Sequence, residues 1–345
     1  MSRQRSRTTR RAVVVAGSVC ALLVGAAGTA TATAATVSPY GFSAPDAIAA
    51  YGGNIFIANG GGNSLTEVNA TTGAFAARLV STSYHFDHPS ALLVAGGELY
   101  VANSANNSIT ELNPATYALV RVINAASFKL SAPVALGADP SNLWVVNAGG
   151  SVTEINLAHG TLVGVAAGTS YGFNHPDAIA LTDGRVYVAN PAANTVTELA
   201  DGSRALIGHA TAAGAGLSRP TGLTVADGAV WVTNATGSSV SKLAAATGAH
   251  LATITSGNLP MPGPITAGDG YVFAASPPGS SPMVTQITAS NDYVNWMMCN
   301  TNYAFKFTNP QALQVVGANV WVVNEGSNAL TEMTANSGSL VRLVS

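Results

Sequence analysis

The stretch Pro176–Thr211, PDAIALTDGRVYVANPAANTVTELADGSRALIGHAT, contains four short apolar segments separated by turn-forming residues. These segments are Ala178–Leu181, Val186–Ala189, Thr195–Leu199 and Arg204–His209. Their Val, Ile, Thr and Tyr residues are the types that β-strands favour. Segments of four to six residues are too short for helices, and the Asp-Gly and Pro-Ala-Ala-Asn clusters between them are typical of turns. The stretch therefore predicts four antiparallel strands joined by short turns.

The same pattern recurs along the chain in seven copies. A proline marks the start of each copy at intervals of 43 to 46 residues: Pro45, Pro89, Pro133, Pro176, Pro220, Pro264 and Pro310. An asparagine ends the second segment of six copies, with Ser276 in that position in the sixth: Asn59, Asn103, Asn147, Asn190, Asn234 and Asn324. A residue that recurs in six copies indicates a structural role rather than a single site, because asparagine side chains commonly bond backbone groups near turns.

Seven copies of four strands, each about 44 residues long, predict an all-β fold, a seven-bladed β-propeller of four-stranded antiparallel blades. Helical repeats of this length need two or three helices per copy, and the sequence shows no long stripe with a 3.6-residue period. The copies span nearly all of the chain from Pro39 to Ser345, which leaves no room for a second folded domain.

The segments Val186-Tyr187-Val188-Ala189-Asn190 and Val230-Trp231-Val232-Thr233-Asn234 resemble the YVTN β-propeller repeat, to which NHL-type propellers are similar. This resemblance covers residues 40–345 and implies the propeller architecture. It implies no particular activity, because one fold can host many unrelated functions. The segment Ser141–Val146 is also similar to part of the repeat of virginiamycin B lyase, a metal-assisted propeller lyase. No catalytic residue of that family is matched, so its chemistry is not transferred.

The N-terminal segment has the three parts of a secretory signal peptide. Five arginines precede the apolar run Ala12–Ala27, and an Ala-Thr-Ala sequence follows it. We expect a signal peptide at residues 1–34, cleaved after Ala32 or Ala34, with the propeller at residues 35–345. The pair Arg10-Arg11 leaves twin-arginine and Sec export both open. A run of 16 apolar residues is shorter than the roughly 20 that a membrane-spanning helix needs. A secreted protein is therefore expected.

Composition excludes several functional classes. Charged residues make up 9% of the chain, and the form without residues 1–34 has 9 Lys and Arg against 16 Asp and Glu, a net charge of 9 − 16 = −7. Scattered cations in an acidic protein argue against binding to nucleic acid or to anionic membranes. Cys299 is the one cysteine left after cleavage, so no internal disulfide is expected. We expect a monomer without a cofactor or a metal site.

Candidate site residues are those that differ between copies at one position. The positions on either side of the recurring proline begin the innermost strand, so their side chains should converge at the mouth of the central channel. Pairs of aromatic residues precede these prolines. The second residue of each pair is expected to pack as a wedge between blades. The tyrosine of a pair is expected to lie exposed at the rim, where its ring could stack on a ligand. The predicted ligand-binding residues are Asp46, His88, His175, Asp177, Arg219, Gln311, Tyr84 and Tyr171.

The sequence favours a binding or scaffold module whose partner is a small molecule, a glycan or a protein. The alternative is a propeller enzyme, a metal-assisted lyase or lactonase that resembles virginiamycin B lyase and acts at the channel mouth. The two differ in what the rim must contain, because an enzyme needs a positioned acid or base there and a scaffold does not. No residue is assigned a catalytic role.

Overall fold

The computed structural model describes residues 39–80, 82–124, 126–182, 184–257, 259–276, 282–299 and 305–345, with Met297 and Cys299 described by their backbone alone. The predicted signal peptide lies outside the described residues. In the part of the chain that the structure describes, no helix has the length and apolar character needed to cross a membrane.

The seven-bladed β-propeller is confirmed. Each blade is a four-stranded antiparallel sheet built from four consecutive strands. Blades 1 to 4 contain β1 Pro45–Tyr51, β2 Asn54–Asn59, β3 Ser64–Asn69, β4 Phe75–Leu79; β5 Pro89–Ala95, β6 Glu98–Asn103, β7 Ser108–Leu112, β8 Leu119–Ile123; β9 Pro133–Ala138, β10 Asn142–Asn147, β11 Ser151–Asn156, β12 Leu162–Ala167; and β13 Ala178–Thr182, β14 Arg185–Asn190, β15 Thr195–Ala200, β16 Leu206–Thr211.

Blades 5 to 7 contain β17 Pro220–Ala226, β18 Ala229–Asn234, β19 Ser239–Ala244, β20 His250–Thr255; β21 Ile265–Gly268, β22 Tyr271–Ser276, β23 Met283–Thr288, β24 Val294–Cys299; and β25 Pro310–Val316, β26 Asn319–Asn324, β27 Ala329–Thr334, β28 Leu340–Val344. The short helices are α1 Ala212–Ala215 and the 3-10 turns Gly60–Gly62, Thr82–Tyr84, Ala126–Phe128, Thr169–Tyr171 and Glu325–Ser327. First strands of neighbouring blades pack against one another around the central channel. We call the face with the second-to-third-strand turns the upper face, and the opposite face the lower face.

The core lies between the blades. In every blade, the third residue of the second strand is a buried aromatic that packs against the adjacent sheet. These residues are Phe56, Tyr100, Trp144, Tyr187, Trp231, Phe273 and Trp321. Burying one large apolar side chain contributes about 3 kcal/mol relative to leaving it exposed, so each interface depends on both of its blades. The predicted wedges are confirmed at Phe42 and Phe86, which are buried in the clusters between blades 7 and 1 and between blades 1 and 2.

The recurring asparagine ties three parts of its blade together. In blade 2, Asn103 Oδ1 accepts a hydrogen bond from the Asp87 N–H at 3.3 Å, and its Nδ2 donates to Thr110 Oγ1 at 3.0 Å. The Thr110 hydroxyl in turn donates to the Tyr84 carbonyl at 2.6 Å. Equivalent bonds surround all six asparagines: Asn59, Asn103, Asn147, Asn190, Asn234 and Asn324. The predicted structural role is confirmed.

Blade 6 departs from this network for an identifiable reason. In the other blades, the asparagine side chain accepts a hydrogen bond from the backbone N–H of the residue 16 positions upstream. In blade 6 this upstream residue is Pro260, which has no N–H. Ser276 takes the asparagine position, is fully buried, and its hydroxyl has no hydrogen-bond partner in the described part of the chain. Without a donor to accept from, an asparagine side chain would leave a buried oxygen unpaired at this position.

Two predicted boundaries are wrong. In blade 6 the recurring proline is Pro262 rather than Pro264: the next residue, Gly263, donates its N–H to Ala275 O, as the equivalent residue does in blade 4. The residue before the true proline, Met261, has the left-handed φ (49°) shared by its counterparts in the other blades. Because prolines stand at positions 260, 262 and 264, the sequence alone did not reveal this shift of two residues. In blade 4, the outer strand is β16 Leu206–Thr211 rather than Arg204–His209, because Arg204 has a φ of 61° and closes the preceding turn by donating its N–H to Ala200 O at 2.8 Å.

A side-chain clasp joins neighbouring blades on the upper face. The residue before each recurring proline has a left-handed φ, and in blade 2 its N–H, that of His88, donates to Asn63 Oδ1 of blade 1 at 2.8 Å. The same bond from Ala44 to Asn328 joins blade 1 to blade 7, so the ring closes without strand exchange. In the other described clasps, the N–H groups of Ala132, Arg219 and Met261 donate to Asn107 Oδ1, Asn194 Oδ1 and Ser238 Oγ, respectively. Blade 3 has Gly150 in this position, with a φ of 94° and no side chain to offer.

Candidate functional site

The mouth of the central channel on the upper face opens into a pocket of about 550 Å³. Five of the eight predicted ligand-binding residues line it: Asp46, His88, Asp177, Arg219 and Gln311. Since each of these residues stands beside the proline that begins an innermost strand, the propeller geometry brings together positions that are far apart in the sequence. The pocket also contains Met261 and Gly263, which the corrected alignment of blade 6 assigns to the same positions.

One wall of the pocket is built by blades 7, 1 and 2 around Asp46. Asp46 Oδ2 lies 4.0 Å from Nε2 of His88, whose side chain is half exposed. Burial raises the pKa of the Asp46 carboxyl to about 6; His88 opposes this rise, and the negative charge of Glu325 adds to it. A carboxyl group with this pKa changes its charge close to neutral pH, so it can both bind cationic groups and exchange protons.

Gly60 makes room for the Asp46 carboxylate. A Cβ atom at Gly60 would lie 2.1 Å from Asp46 Oδ2 and 3.1 Å from Cε1 of His88. Other described blades have Ser104, Ala148, Pro191, Ala235 or Glu325 after the recurring asparagine. The only glycine at this position therefore occurs in the blade that places an aspartate against it.

Glu325 is a site residue that was not predicted from the sequence. It follows Asn324 at the turn between the second and third strands of blade 7, and its Oε2 accepts hydrogen bonds from Asn309 Nδ2 and from Gln311 Nε2, the latter at 2.6 Å. The negative charge of Glu325 contributes to the raised pKa of Asp46. The sequence did contain an indication, because Glu325 is the only charged residue after the recurring asparagine in any of the seven copies.

The opposite wall is built by blades 4 and 5 around Asp177 and Arg219. Asp177 is accessible to water in the channel, yet the protein atoms around it desolvate the carboxyl and raise its pKa, against the attraction of the Arg219 guanidinium. Neither side chain makes a hydrogen bond or an ion pair within 4.0 Å among the described residues, so both can bind a ligand. By contrast, five other cationic side chains are held in ion pairs: Arg121, Arg185, Arg204, Lys242 and Arg342.

Two neutral side chains of the pocket have structural roles. The Ser90 hydroxyl donates to Pro133 O of the next blade at 2.7 Å, and the Thr221 hydroxyl donates to Pro262 O at 3.4 Å. These bonds link adjacent innermost strands, so the polar character of the pocket available to a ligand comes mainly from the charged residues.

The structure does not bring the other three predicted residues into the pocket. His175 is exposed, and its Nδ1 lies 3.1 Å from Oδ1 of the neighbouring Asn174. Tyr84 is half-buried between blades; it stacks on Phe86 at 5.1 Å, and its hydroxyl donates to Tyr117 O at 2.7 Å.

Tyr171 occupies the equivalent position between blades 3 and 4. It is half-buried and stacks on Phe173 at a centroid distance of 5.5 Å. The expected exposure of the two tyrosines at the rim is wrong, because their rings lie in the groove between blades. Among the described residues, no group of three or more His, Cys, Asp or Glu side chains is arranged to hold a metal ion.

Comparison with known proteins shows that the fold of this chain is similar to that of several solved structures. No protein-family model and no curated protein matches the chain. Among solved structures, a catalytically inactive virginiamycin B lyase from Staphylococcus aureus with quinupristin aligns with a TM-score of 0.67 and 16% identity over 81% of this chain and 90% of that one. A streptogramin B lyase aligns with a TM-score of 0.69 and 15% identity over 83% and 92%.

A functionally unknown protein from Desulfotomaculum acetoxidans aligns with a TM-score of 0.67 and 13% identity over 84% of this chain and 94% of that one. Likenesses at this level of identity concern the architecture alone. The proposed relation to the YVTN and NHL repeats stays a prediction. The chain is similar in fold to lyases and to a protein of unknown function, and that fold is the seven-bladed β-propeller.

Proposed function

We propose that this protein is an exported binding module that holds a small polar ligand at the upper mouth of its central channel. The ligand bears a positively charged group, which lies against Asp46 and Glu325, and an anionic group, which lies against Arg219. Amino-acid-like zwitterions and the ends of short peptides have this chemistry. Export is part of the proposal because of the signal-like residues 1–34.

The observation that supports this proposal is the concentration of charged and ionisable groups in one pocket of a chain with few charges. Only 9% of all residues are charged, yet Asp46, His88, Asp177 and Arg219 line a single pocket, and Glu325 adjoins Asp46. A structural role predicts hydrogen-bonded or ion-paired partners, such as those of the inter-blade glutamates. Converging charges, of which Asp177 and Arg219 have no such partner among the described residues, are instead typical of a ligand site.

Electrostatics favours a ligand with two poles. The wall at Asp46 and Glu325 is acidic, and the nearly opposite wall has Arg219, the only arginine among the described residues that line the pocket. Charged groups in a concave, partly desolvated site interact more strongly than they do in water. A zwitterion oriented across the channel would gain from both walls, whereas a simple cation would gain from one wall and be repelled by Arg219.

A second candidate function is acid–base catalysis at the same pocket. The observation in its favour is the Asp46 carboxyl, whose pKa of about 6 lies close to the pH at which a general acid or base works best. The two functions differ in turnover: a binding module returns its ligand unchanged, and an enzyme does not. Mass spectrometry of bound and released ligand therefore separates them.

The test is a titration of the protein lacking residues 1–34, by calorimetry and by thermal shift, with glycylglycine, 4-aminobutyrate and glucose. We expect the two zwitterions to bind and glucose to bind more weakly. Asp46→Asn and Arg219→Gln should each weaken zwitterion binding at least tenfold. Matched controls at exposed residues outside the pocket, Asp227→Asn and Arg78→Gln, should leave it unchanged. Equal affinities in all four variants, or no binding of any probe, would contradict the proposal.

A further inference from the structure

A half-buried carboxylate in blade 2 occupies a position that supplies a hydrogen-bond donor in other blades. The first residue of the second strand is Asn54 in blade 1 and Asn319 in blade 7, and each donates to the buried glutamate of its third strand, at 2.7 and 2.6 Å. Blade 4 has Arg185 there, which forms an ion pair with its glutamate. Blade 2 instead has Glu98, the only acidic residue at this position in the seven copies.

The substitution leaves an acceptor without a donor. Glu98 Oε2 is buried and has no hydrogen-bond partner among the described residues. The neighbouring glutamate of the third strand, Glu111, is 2% exposed and has Arg121 Nε at 2.8 Å from its Oε2. Blade 2 therefore places a second carboxylate, without a donor to its Oε2 among the described residues, near a glutamate that is ion-paired with Arg121, whereas blades 1, 4 and 7 pair one glutamate with a donor at this position.

Such an arrangement destabilises the folded protein unless another group compensates. Burial raises the pKa of Glu111, and the negative charge of Glu98 raises it further, while Arg121 and a hydrogen bond from Tyr100 oppose the rise. Like charges placed together in a partly buried setting are unfavourable. A repeat that breaks its own local rule at one position often does so at a functional site.

A cavity opens onto these groups. It has a volume of about 480 Å³ and lies between blades 2 and 3 on the lower face, on the opposite side of the ring from the channel mouth. Its polar lining includes Glu98, Glu111, Tyr100 and Arg121. Its apolar lining is Val120, Pro140 and Leu157. The volume is that of an organic molecule rather than a bare ion, and the apolar wall suits an aliphatic chain.

We propose that this cavity binds a primary ammonium group carried on an aliphatic chain. The three N–H donors of the ammonium satisfy Glu98 Oε2 and the Glu111 carboxylate, and its charge balances the second carboxylate. The aliphatic chain packs along Val120 and Leu157. Free alkylamines and the lysine side chain of a partner protein share this chemistry.

The experiment uses two probes, n-butylammonium and Nα-acetyl-lysine amide, titrated into the protein lacking residues 1–34 and followed by calorimetry and by chemical shifts of residues 96–121. Saturable binding with shifts confined to this cavity is expected. Butylammonium alone would point to free amines, and the lysine amide alone or in addition would point to a lysine side chain of a partner.

The decisive variant is Glu98→Asn, which reproduces the residue of blades 1 and 7. We expect it to weaken probe binding at least tenfold and to raise the melting temperature, because it replaces the unpaired acceptor with a donor. The higher melting temperature separates loss of binding from loss of folding. Asp227→Asn, at an exposed residue outside this cavity and outside the channel mouth, should bind both probes as the wild type does. Absence of saturable binding to the wild type, or equal binding by Glu98→Asn, would overturn the proposal.

Discussion

The recurring asparagine and the residues beside the recurring proline lie a few ångströms apart on the same face, yet the blades treat them in opposite ways. The asparagine is the same in six blades, fully buried, and bonded to a backbone N–H and a third-strand hydroxyl. The residues beside the proline change from blade to blade and are at least partly open to the channel.

This contrast distinguishes structural positions from candidate functional positions within one repeat protein. A bond that each blade needs for its own fold must be repeated, so constancy between copies indicates structure. A ligand meets each blade at a different point, so its contacts differ between copies. Four variants test this distinction.

The largest effect is expected for Asn103→Ala. The change removes the bonds to Asp87 N–H and Thr110 Oγ1 and leaves buried polar groups unpaired, which should lower the free energy of unfolding by about 2–4 kcal/mol. Urea unfolding measures this loss. Asn174→Ala, the same deletion at an exposed residue, should change stability by about 0.5 kcal/mol or less. Similar losses in both variants would remove the distinction between constant and variable positions.

Asp46→Asn should have an effect that depends on pH. The pKa of Asp46 rises from 3.8 to about 6 on folding, so the folded state favours the protonated form. The wild type therefore loses stability as pH increases from about 4 to 6, by about 1–3 kcal/mol, and no more above that range.

Asn cannot ionise, so Asp46→Asn should be more stable than the wild type at pH 7.5 and about equal to it at pH 4. Urea unfolding at the two pH values gives this difference, with Asp227→Asn as the control. A difference that is the same at both pH values would show that the carboxyl is not desolvated by the pocket.

Gly60→Ala should alter the site with little change in stability. The new Cβ would meet the movable end of the Asp46 side chain at 2.1 Å, so the carboxylate must turn away, at a cost of about 1 kcal/mol or less. NMR titration should show the pKa of Asp46 falling toward its ordinary value. Gly61→Ala, whose Cβ meets Ser43 Oγ at 3.1 Å instead, is the matched control. An unchanged Asp46 titration in Gly60→Ala would separate the glycine from the site.

The smallest effect is expected for Ser276→Ala, at the position equivalent to Asn103. The Ser276 hydroxyl has no hydrogen-bond partner in the described residues, so the free energy of unfolding should change by about 0.5 kcal/mol or less. Thermal melting of this variant beside Asn103→Ala makes the comparison within one structural position. A loss as large as that of Asn103→Ala would mean that blade 6 uses the same network after all.

The fold was predictable because each blade repeats the same short-range pattern, and seven repetitions compensate for ambiguity in any one of them. The errors fell where local pattern gives two equal answers. Prolines at 260, 262 and 264 offered three alignments, and the hydrogen bond from Gly263 N–H to Ala275 O and the left-handed φ of Met261 select one. The site was predictable where it follows from blade position, as for Asp46. It was not predictable for Tyr84, because its hydroxyl bonds Tyr117, 33 residues away in sequence.

The glycine that replaces the clasp residue in blade 3 has a mechanical consequence. At every other described joint a side chain of one blade holds the backbone of the next, but Gly150 leaves the joint between blades 3 and 4 without this tie. Among the joints that the structure describes, we therefore expect the fastest local opening at this seam. Asp177 lines the channel in the blade just beyond it. Opening of this seam would widen the channel mouth on the side of Asp177, whereas the joints on either side of blade 1, which carries Asp46, keep their clasps.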